Sequence, residues 1–405
     1  MHTDILIVGG GASGLAAAVS AKTARPGLAV CVAEKLGRTG KKLLATGNGR
    51  CNLMNLASAP ARYLGDAGFI APALEAYIQK YKDFWAGLGL ALTEEEEGRV
   101  YPATNQASSV LDVLRLALAE KGVTEMCGCE VSSVRPAKDG FLISSSTGEF
   151  KARRVILATG GLAGKGLGEN DSFRTLLGPL GHRFTDILPG LVRLKTHKEQ
   201  VKGLKGIRLK GSFCLLDGKR ELARETGECL FQEDGVSGIA AMQLSLFAAP
   251  LLKAGKTPVL KLSPLPGDAR CILQKRQSAF PSRSCGELLT GEVNRMIALA
   301  ALRRAGISPA LCAKELSASQ LSRLAEELSA WHIPVTGTGG MDQAQVMLGG
   351  ARTDGFDAGT MGSRLAPGLY ACGEMLDVAG PCGGFNLEWA WASGILAGRK
   401  AAESL

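Results

Sequence analysis

The first forty residues carry two short, uninterrupted hydrophobic runs, at 5–8 and 28–33. Runs of this kind are typical of strands that are buried on both faces of a parallel sheet. Between them, residues 9–14 read Gly-Gly-Gly-Ala-Ser-Gly, and a small-residue helical stretch follows at 15–24. The pattern therefore predicts a strand, a tight turn, a helix and a second strand that ends at Glu34.

Farther along the chain, helical and strand-like patterns alternate. Helices are predicted over 71–87 and 108–121, and short strands with Asp-Gly and Thr-Gly turns over 130–151. Another buried strand is predicted at 155–158, before a Thr-Gly-Gly turn. Residues 36–55 are rich in glycine, lysine and asparagine, and we expect them to form an extended loop that contacts a ligand.

The middle of the chain has a different character from both ends. Short alternating strands give way there to helical stretches, predicted over 285–305 and 317–330. The glycine-rich style returns at Val335, so the pattern predicts one discontinuous domain interrupted by an insert. The expected parts are a discontinuous domain (1–189 and 335–405), a β-rich substrate domain (190–265 and about 320–334) and a helical insert (266–319).

Composition narrows the class of protein. The 405 residues are 46% hydrophobic and 21% charged, which is ordinary for a globular chain and excludes a disordered one. Glycine stands out, with 53 of the 405 residues, or about 13%, against an average share of about 7%. Since there is no proline excess and no three-residue period, a collagen-like chain is excluded. The glycines indicate tight turns or close approach of backbone to a ligand.

Cysteine and histidine usage does not indicate a metal site. The 11 cysteines are odd in number, and the tight pair Cys127 and Cys129 lacks the spacing of a redox or zinc motif. We therefore expect no bound metal. The chain opens without a signal-peptide pattern, and no hydrophobic run approaches the length of a membrane span. A reduced, cytoplasmic protein without a membrane span is expected.

The net charge of +9 raises the question of an anionic partner. The densest basic segment, 195–210, has no interleaved aromatic residues and matches no nucleic-acid module. A solvated basic face is the favoured interpretation, so no nucleic-acid partner is expected. The positive balance would suit an anionic small-molecule substrate. The oligomeric state cannot be read from these patterns.

The glycine turn predicts a dinucleotide site because of its context. Gly9 permits a tight turn, Gly11 lets the backbone approach a pyrophosphate, and Gly14 allows close packing of helix and strand. The amides at the helix start would bind phosphate. Glu34, at the end of the second strand, can accept hydrogen bonds from a ribose diol. Such an acid disfavours a ribose phosphate, so FAD or NAD is expected rather than NADP.

Three further features favour FAD over NAD. Only one complete glycine fingerprint occurs, whereas separate FAD and NAD domains would need two. The strand at 155–161 ends in a small-Thr-Gly turn, as expected where a chain returns beside the nucleotide. A late strand at 368–374 ends in Gly-Glu, and Gly383 and Gly384 open the final helix. Free amides there could stabilise the negative charge of a reduced flavin.

Two long motifs then carry a family resemblance. Residues 40–52 read GKKLLATGNGRCN, and residues 373–387 read GEMLDVAGPCGGFNL. With the segments 98–102, 155–161 and 227–231, they resemble the aminoacetone oxidase-like, BaiN-like family of FAD-dependent oxidoreductases along the whole chain. The resemblance implies an α/β fold: a Rossmann-like, two-part FAD-binding domain with an inserted β-rich, barrel-like domain and a small helical domain.

The resemblance also implies which residues bind FAD. The family's contacts carry over to Gly9, Gly11, Gly14, Glu34, Lys35, Lys42, Asn48, Arg50, Asn52, Val131, Thr159, Gly160, Gly373, Glu374, Gly384, Asn386 and Leu387. Ser13, Gly49 and Cys51, which lie within the same motifs, are assigned to the same site. The chain departs from the family pattern at 232–238, which lacks the usual histidine, at Ile239, which replaces a proline, and at 168–172. These changes fall in loops that could face substrate, so substrate identity does not carry over.

Three residues are candidates for catalysis, each with a structural alternative. Tyr101 could donate its hydroxyl to a substrate carbonyl, or be a half-buried loop aromatic. Cys382 could protonate a substrate carbon, although a packing thiol is the favoured alternative. His197, like His182, could act as a general acid, but a lone histidine is more often structural.

Two enzymatic functions follow from the resemblance. The favoured one is reduction of an activated C=C bond, such as the enone of a bile-acid-like or other hydrophobic acid, with NADH or NADPH as transient hydride donor. The alternative is an amine or aminoketone oxidase that uses O2 and releases peroxide. A nucleic-acid-modifying flavoprotein is a third hypothesis, which no specific sequence motif supports.

Overall fold

The computed structural model describes residues 1–265 and 267–405. Within them the chain forms two compact units, Met1–Leu188 with Met341–Leu405, and Pro189–Gly340. The predicted α/β class, with a Rossmann-like part and a barrel, is confirmed. The exact domain boundaries drawn from the sequence stay a prediction. None of the helices in the described ranges combines the length and the apolar character needed to cross a membrane.

The elements are numbered in chain order. The strands are β1 (His2–Val8), β2 (Val30–Glu34), β3 (Met54–Asn55), β4 (Leu92–Glu94), β5 (Arg99–Pro102), β6 (Thr124–Cys127), β7 (Val131–Ala137), β8 (Gly140–Ser145), β9 (Gly148–Leu157), β10 (Leu188–Gly190), β11 (Leu194–Thr196), β12 (Arg208–Asp217), β13 (Arg220–Gln232), β14 (Gly235–Ser237), β15 (Val259–Leu262), β16 (Trp331–Thr338), β17 (Val346–Leu348) and β18 (Leu369–Ala371). The α-helices are α1 (Ala12–Ala24), α2 (Lys41–Ala45), α3 (Ala67–Gly87), α4 (Ala107–Glu120), α5 (Ser172–Leu177), α6 (Ile239–Lys253), α7 (Ala269–Ala279), α8 (Cys285–Leu288), α9 (Arg295–Ala305), α10 (Ala318–Ser329) and α11 (Phe385–Glu403).

A seven-stranded sheet organises the first unit. Its order is β6-β2-β1-β9-β8-β7, and β18 pairs with the end of β9. β6, β2, β1, β9 and β18 run parallel, whereas β7 and β8 add an antiparallel edge. The hydrophobic run predicted at 155–158 is the end of the ten-residue β9, which pairs there with both β1 and β18. The first β-α-β unit forms as predicted, with Glu34 as the last residue of β2.

Two helices pack against each other at unusually short range in this unit. A Cβ on Gly394 of α11 would lie 2.3 Å from the carbonyl oxygen of Ser13, and one on Gly398 would lie 2.1 Å from that of Ala17. Since no real side chain tolerates such distances, only glycine allows α11 to lie directly on the backbone of α1. This last helix begins at Phe385, directly after Gly384, as the sequence predicted.

Residues 36–55, expected to form one extended loop, contain short regular elements. They include α2 and a 3-10 turn at Thr46–Gly49, and they end in β3. β3 joins β5 and β4 in a small antiparallel sheet of order β3-β5-β4. The side chain of Asn55 donates from Nδ2 to the carbonyl of Gly383 at 2.9 Å, which fixes this sheet beside the start of α11.

The second unit is built around a closed six-stranded barrel of order β11-β14-β13-β12-β15-β16. Side chains of the barrel and of α6, α7, α9 and α10 share one hydrophobic core. The continuous helix predicted over 285–305 is wrong. α8 ends at Leu288, Gly291 adopts a left-handed φ of +90°, and Asn294 caps α9 by accepting a hydrogen bond from the amide of Met296 at 2.9 Å. The turn and the cap end one helix and begin another.

A buried carboxyl group lies in α11. Glu388 has no exposed surface, and its Oε2 accepts a hydrogen bond from the hydroxyl of Tyr63 at 3.3 Å. Burial raises the pKa of Glu388 to about 7, against hydrogen bonds from Ser58 and Tyr63 that lower it. The folded state therefore binds a proton that the unfolded chain, with a Glu pKa of 4.5, releases.

We expect Glu388→Gln to remove a pH-dependent loss of stability. Because the pKa of Glu388 is higher in the folded state, the stability that its protonated carboxyl group contributes is fully present below pH 4.5. This stability is lost as the pH rises through about 7. At pH 8 the variant should unfold with a free energy about 3 kcal/mol above wild type, and near pH 4.5 the two should agree. Urea denaturation across this range measures it, with Glu403→Gln on the exposed side of α11 as control. Parallel profiles for wild type and Glu388→Gln would contradict the assignment.

Candidate functional site

The turn between β1 and α1 has the geometry of a phosphate-binding turn. Gly9 has a φ of +109°, and a Cβ on Gly14 would lie 1.9 Å from the carbonyl oxygen of Gly9. Gly14 therefore permits the contact of α1 with the turn. A Cβ on Gly11 would meet no atom within 4 Å, and no side chain caps α1 there. The open space lies beside helix-start amides, which favour an anion.

Glu34 is held in place by the backbone around the turn. Its Oε2 accepts a hydrogen bond from the amide of Gly10 at 2.8 Å, and its Oε1 accepts one from Leu36 at 2.9 Å. The carboxylate is only 9% exposed and lines the cavity beside the turn. Each oxygen keeps a lone pair, so the fixed carboxylate can accept the hydroxyls of a ribose.

One continuous cavity runs from this turn to the first turn of α11. Its wall contains these residues predicted from the sequence: Gly9, Gly11, Ser13, Glu34, Lys35, Lys42, Val131, Thr159, Gly160, Glu374, Asn386 and Leu387. Gly14 and Gly373 lie behind the wall, where a Cβ on Gly373 would be 2.5 Å from Oγ of Ser13. The wall also includes residues that the sequence did not suggest, among them Arg38, Lys41, Cys129, Glu130, Gln345 and Trp389.

Lys42 and Glu374, both predicted to contact the cofactor, form an ion pair with each other. The ammonium of Lys42 lies 2.6 Å from Oε2 of Glu374, and Oε1 of Glu374 accepts a hydrogen bond from the amide of Met347 at 3.0 Å. Both side chains are partly exposed to the cavity. The pair joins the segment after β2 to the end of β18. The Glu374 carboxylate therefore lies in the cavity wall with its charge neutralised by Lys42 and its oxygens oriented by Lys42 and the amide of Met347.

The start of α11 contains an unsatisfied acceptor. Gly384 precedes the helix with a φ of +108°, and a Cβ there would lie 2.5 Å from the carbonyl oxygen of Met54. It would also lie 2.8 Å from Oδ1 of Asn52. Asn52 is 8% exposed, and this oxygen has no hydrogen-bond partner within the described residues. A buried acceptor without a partner is costly, so the position suits a donor from a bound molecule.

The remaining predicted contacts lie in the 3-10 turn and beside it. Asn48 and Gly49 are exposed, and Arg50 pairs with Glu95 and donates to Oδ1 of Asn105. None of these is in the cavity wall. Cys51 is fully buried, and burial raises the pKa of its thiol to about 12, so it is a neutral group in the core. FAD contact by these four residues stays a prediction.

The candidates for catalysis are in three different environments. Tyr101 is 6% exposed in β5, and the guanidinium carbon of Arg50 lies 4.1 Å from its ring centre. Cys382 is half-buried directly before Gly383. His197 is exposed in the second unit. His182 is a structural residue, since it is buried, stacked on Phe356 and 2.9 Å from Oγ of Ser363, and burial lowers its pKa.

This architecture matches a known family. The model of the HI0933-like protein Rossmann domain covers residues 3–400. The chain belongs to this family. As a member it is an FAD-dependent oxidoreductase, which confirms the expectation from the sequence motifs. The cavity fits FAD by its own chemistry, because it combines amides for a pyrophosphate with an oriented acid for a ribose.

Relatives match the chain over almost its entire length. It is 38% identical to the 3-dehydro-bile acid delta(4,6)-reductase of Clostridium scindens, over 98% of both chains. It is 30% identical to the ribosomal RNA dihydrouridine synthase of Escherichia coli, over 96% of both. The fold is shared with a 3-ketosteroid-delta4-(5alpha)-dehydrogenase from Rhodococcus jostii, at a TM-score of 0.52, 16% identity and coverage of 99% and 97%. A flavocytochrome c3 fumarate reductase gives a TM-score of 0.53 at 16% identity, with 99% of this chain and 78% of that one covered.

Two alanine substitutions in the glycine turn should separate binding from folding. Gly11→Ala adds a methyl group to open cavity space, so the apoprotein should keep its stability while FAD affinity falls by about tenfold or more. Gly14→Ala forces α1 away from Gly9 and should lower the free energy of unfolding by about 1–3 kcal/mol. Urea denaturation and quenching of FAD fluorescence measure the two effects. Wild-type FAD affinity in Gly11→Ala would contradict a pyrophosphate at this turn.

Proposed function

We propose that the protein reduces a carbon–carbon double bond that is conjugated to a carbonyl group, with NADH or NADPH as a transient hydride donor. The observation that carries this proposal is the 38% identity, over 98% of both chains, to a 3-dehydro-bile acid delta(4,6)-reductase. A match of that extent includes the cavity wall and the whole second unit. We propose, by extension, a hydrophobic acid such as a steroid-like 3-oxo acid as substrate, which the net charge of +9 would suit.

The chain's own residues would supply binding and electrostatics. FAD, when bound, carries a hydride equivalent from the nicotinamide to the substrate. The amides at the start of α1 would hold its pyrophosphate, and Glu34 would hold the adenosine ribose. The Lys42–Glu374 pair would orient the linking chain. The amides at the start of α11 would stabilise negative charge on the reduced ring system, and Asn52 would accept a hydrogen bond from it.

A second candidate substrate is a uracil base in RNA. The synthases of Escherichia coli and Haemophilus influenzae, named for dihydrouridine in ribosomal RNA, are 30% and 28% identical to the chain and match 96% and 97% of it. Saturation of uracil also reduces a C=C bond next to a carbonyl, so one site chemistry would serve both substrates. The choice between them depends on what surrounds the reacting group.

The basic segment 195–210 gives less support to RNA than its sequence suggests. Glu233 pairs with both Lys198 and Lys205, at 3.4 and 3.6 Å, and Lys202 lies 3.4 Å from Glu199. Arg208 is also paired, with Glu228. Exposed pairs of this kind are weak, yet Glu199, Glu228 and Glu233 offset three of the six basic charges that the segment carries. The small-molecule substrate is therefore the favoured proposal.

An anaerobic spectral screen tests the proposed function. We expect NADH or NADPH to bleach the bound FAD, and a 3-oxo-Δ4 steroid acid to restore the oxidised spectrum. The 4,5-saturated analogue of the same 3-oxo acid, which has no C=C bond, is the matched control and should restore nothing. Restoration by a uridine-rich ribosomal RNA transcript and not by the steroid acid would favour the second candidate. A flavin that neither nicotinamide bleaches, with peroxide released from aminoacetone in air, would replace the proposal with the oxidase alternative.

A further inference from the structure

The small sheet beside α11 presents one face to Gly383. Successive side chains of a strand point to opposite faces, so Arg99 and Tyr101 of β5 share a face, whereas the fully buried Val100 points away. Nε of Arg99 lies 3.9 Å from the position that a Cβ on Gly383 would occupy. Gly383 is directly followed by Gly384 and the start of α11. Arg99 therefore lies beside the start of α11, where Asn386 and Leu387 line the end of the cavity.

A third side chain completes this face. The guanidinium of Arg50 stacks on the ring of Tyr101 and is held by Glu95 and Asn105. Tyr101 is 6% exposed. Arg99 forms an ion pair with Glu97, which is largely exposed. The face thus offers a guanidinium and a phenol, two donors, with the tyrosine ring fixed by stacking.

We propose that Arg99 and Tyr101 bind the carbonyl oxygen of the substrate and stabilise the negative charge that develops on it, with Arg50 as the residue that positions the tyrosine ring. This rests on the proposed function. Hydride adds to the carbon β to the carbonyl, the π pair of the C=C bond forms a new π bond between the α carbon and the carbonyl carbon, and the π pair of the C=O bond moves onto the oxygen. The two donors hold that oxyanion, and a proton from solvent then adds at the α carbon. The substrate gains two electrons and two protons in total, supplied by reduced FAD and water.

The rates of flavin reduction by nicotinamide and of flavin reoxidation by substrate, measured separately, distinguish an oxyanion-binding role from a structural one. In holoenzyme, Arg99→Gln and Tyr101→Phe should each slow reoxidation by the 3-oxo-Δ4 acid by about tenfold or more, because one oxyanion donor is lost. Bleaching by NADH or NADPH should stay within about twofold of wild type. Arg208→Gln on the barrel also breaks an exposed arginine–glutamate pair, and this control should change neither rate. FAD content checks that each variant is folded.

A binding measurement tests the donors without turnover. The phenolate of 4-nitrophenol carries its negative charge on an oxygen next to an unsaturated ring, as the oxyanion would. Oxidised wild-type holoenzyme should bind the phenolate and lower the apparent pKa of the phenol, and both variants should lose about tenfold in affinity. Wild-type affinity and wild-type reoxidation in both variants would overturn the proposal. If no unsaturated substrate reoxidises the wild-type flavin, the proposed function fails, while the phenolate titration still decides whether this face binds an oxyanion.

Discussion

The direct contact between α1 and α11 is the constraint on which the site depends. Gly394 and Gly398 are spaced one helical turn apart, and they lie on the carbonyl oxygens of Ser13 and Ala17, which have the same spacing. Any side chain at these glycines would push the helices apart. Because α1 begins at the phosphate turn, the contact fixes the start of α11 relative to the turn. The two ends of the cavity are thereby set at a fixed separation.

This arrangement places two helix starts at one cavity. Amides at the beginning of α1 and of α11 both favour negative charge, and with FAD bound as proposed one start would face the pyrophosphate and the other the reduced ring. Neither start has a side-chain cap. The proposed complementarity to FAD would therefore come largely from backbone, which would explain why glycines are needed where the chain turns. Side chains such as Glu34 would add selectivity for the sugar.

Local patterns in the sequence were sufficient for the nucleotide turn. The turn glycines and Glu34 are predictable because each feature depends on neighbours within about one β-α-β unit. The break between α8 and α9 escaped prediction because Gly291 and Asn294 are short signals inside a long helical pattern. The barrel's register and closure were also beyond the sequence, since strands far apart along the chain, such as β11 and β16, must pair to close it.

The parts of the site that the sequence did not reveal are those made by distant segments. Lys42 and Glu374 were each predicted to contact the cofactor, yet their mutual pair follows only from the fold. The unsatisfied oxygen of Asn52 is recognisable only when its surroundings are known. Arg99 is an ordinary strand residue in the sequence, and its position next to Gly383 gives it a role in the proposed substrate site.

A single-turnover experiment tests the central claim, that this cavity holds FAD which delivers a hydride to a conjugated C=C bond. Holoenzyme is photoreduced without oxygen and mixed with a 3-oxo-Δ4 steroid acid, and oxidised FAD and saturated product are then counted together. We predict one molecule of saturated product for each FAD reoxidised. A flavin that stays reduced until air is admitted, with no saturated product, would contradict the account.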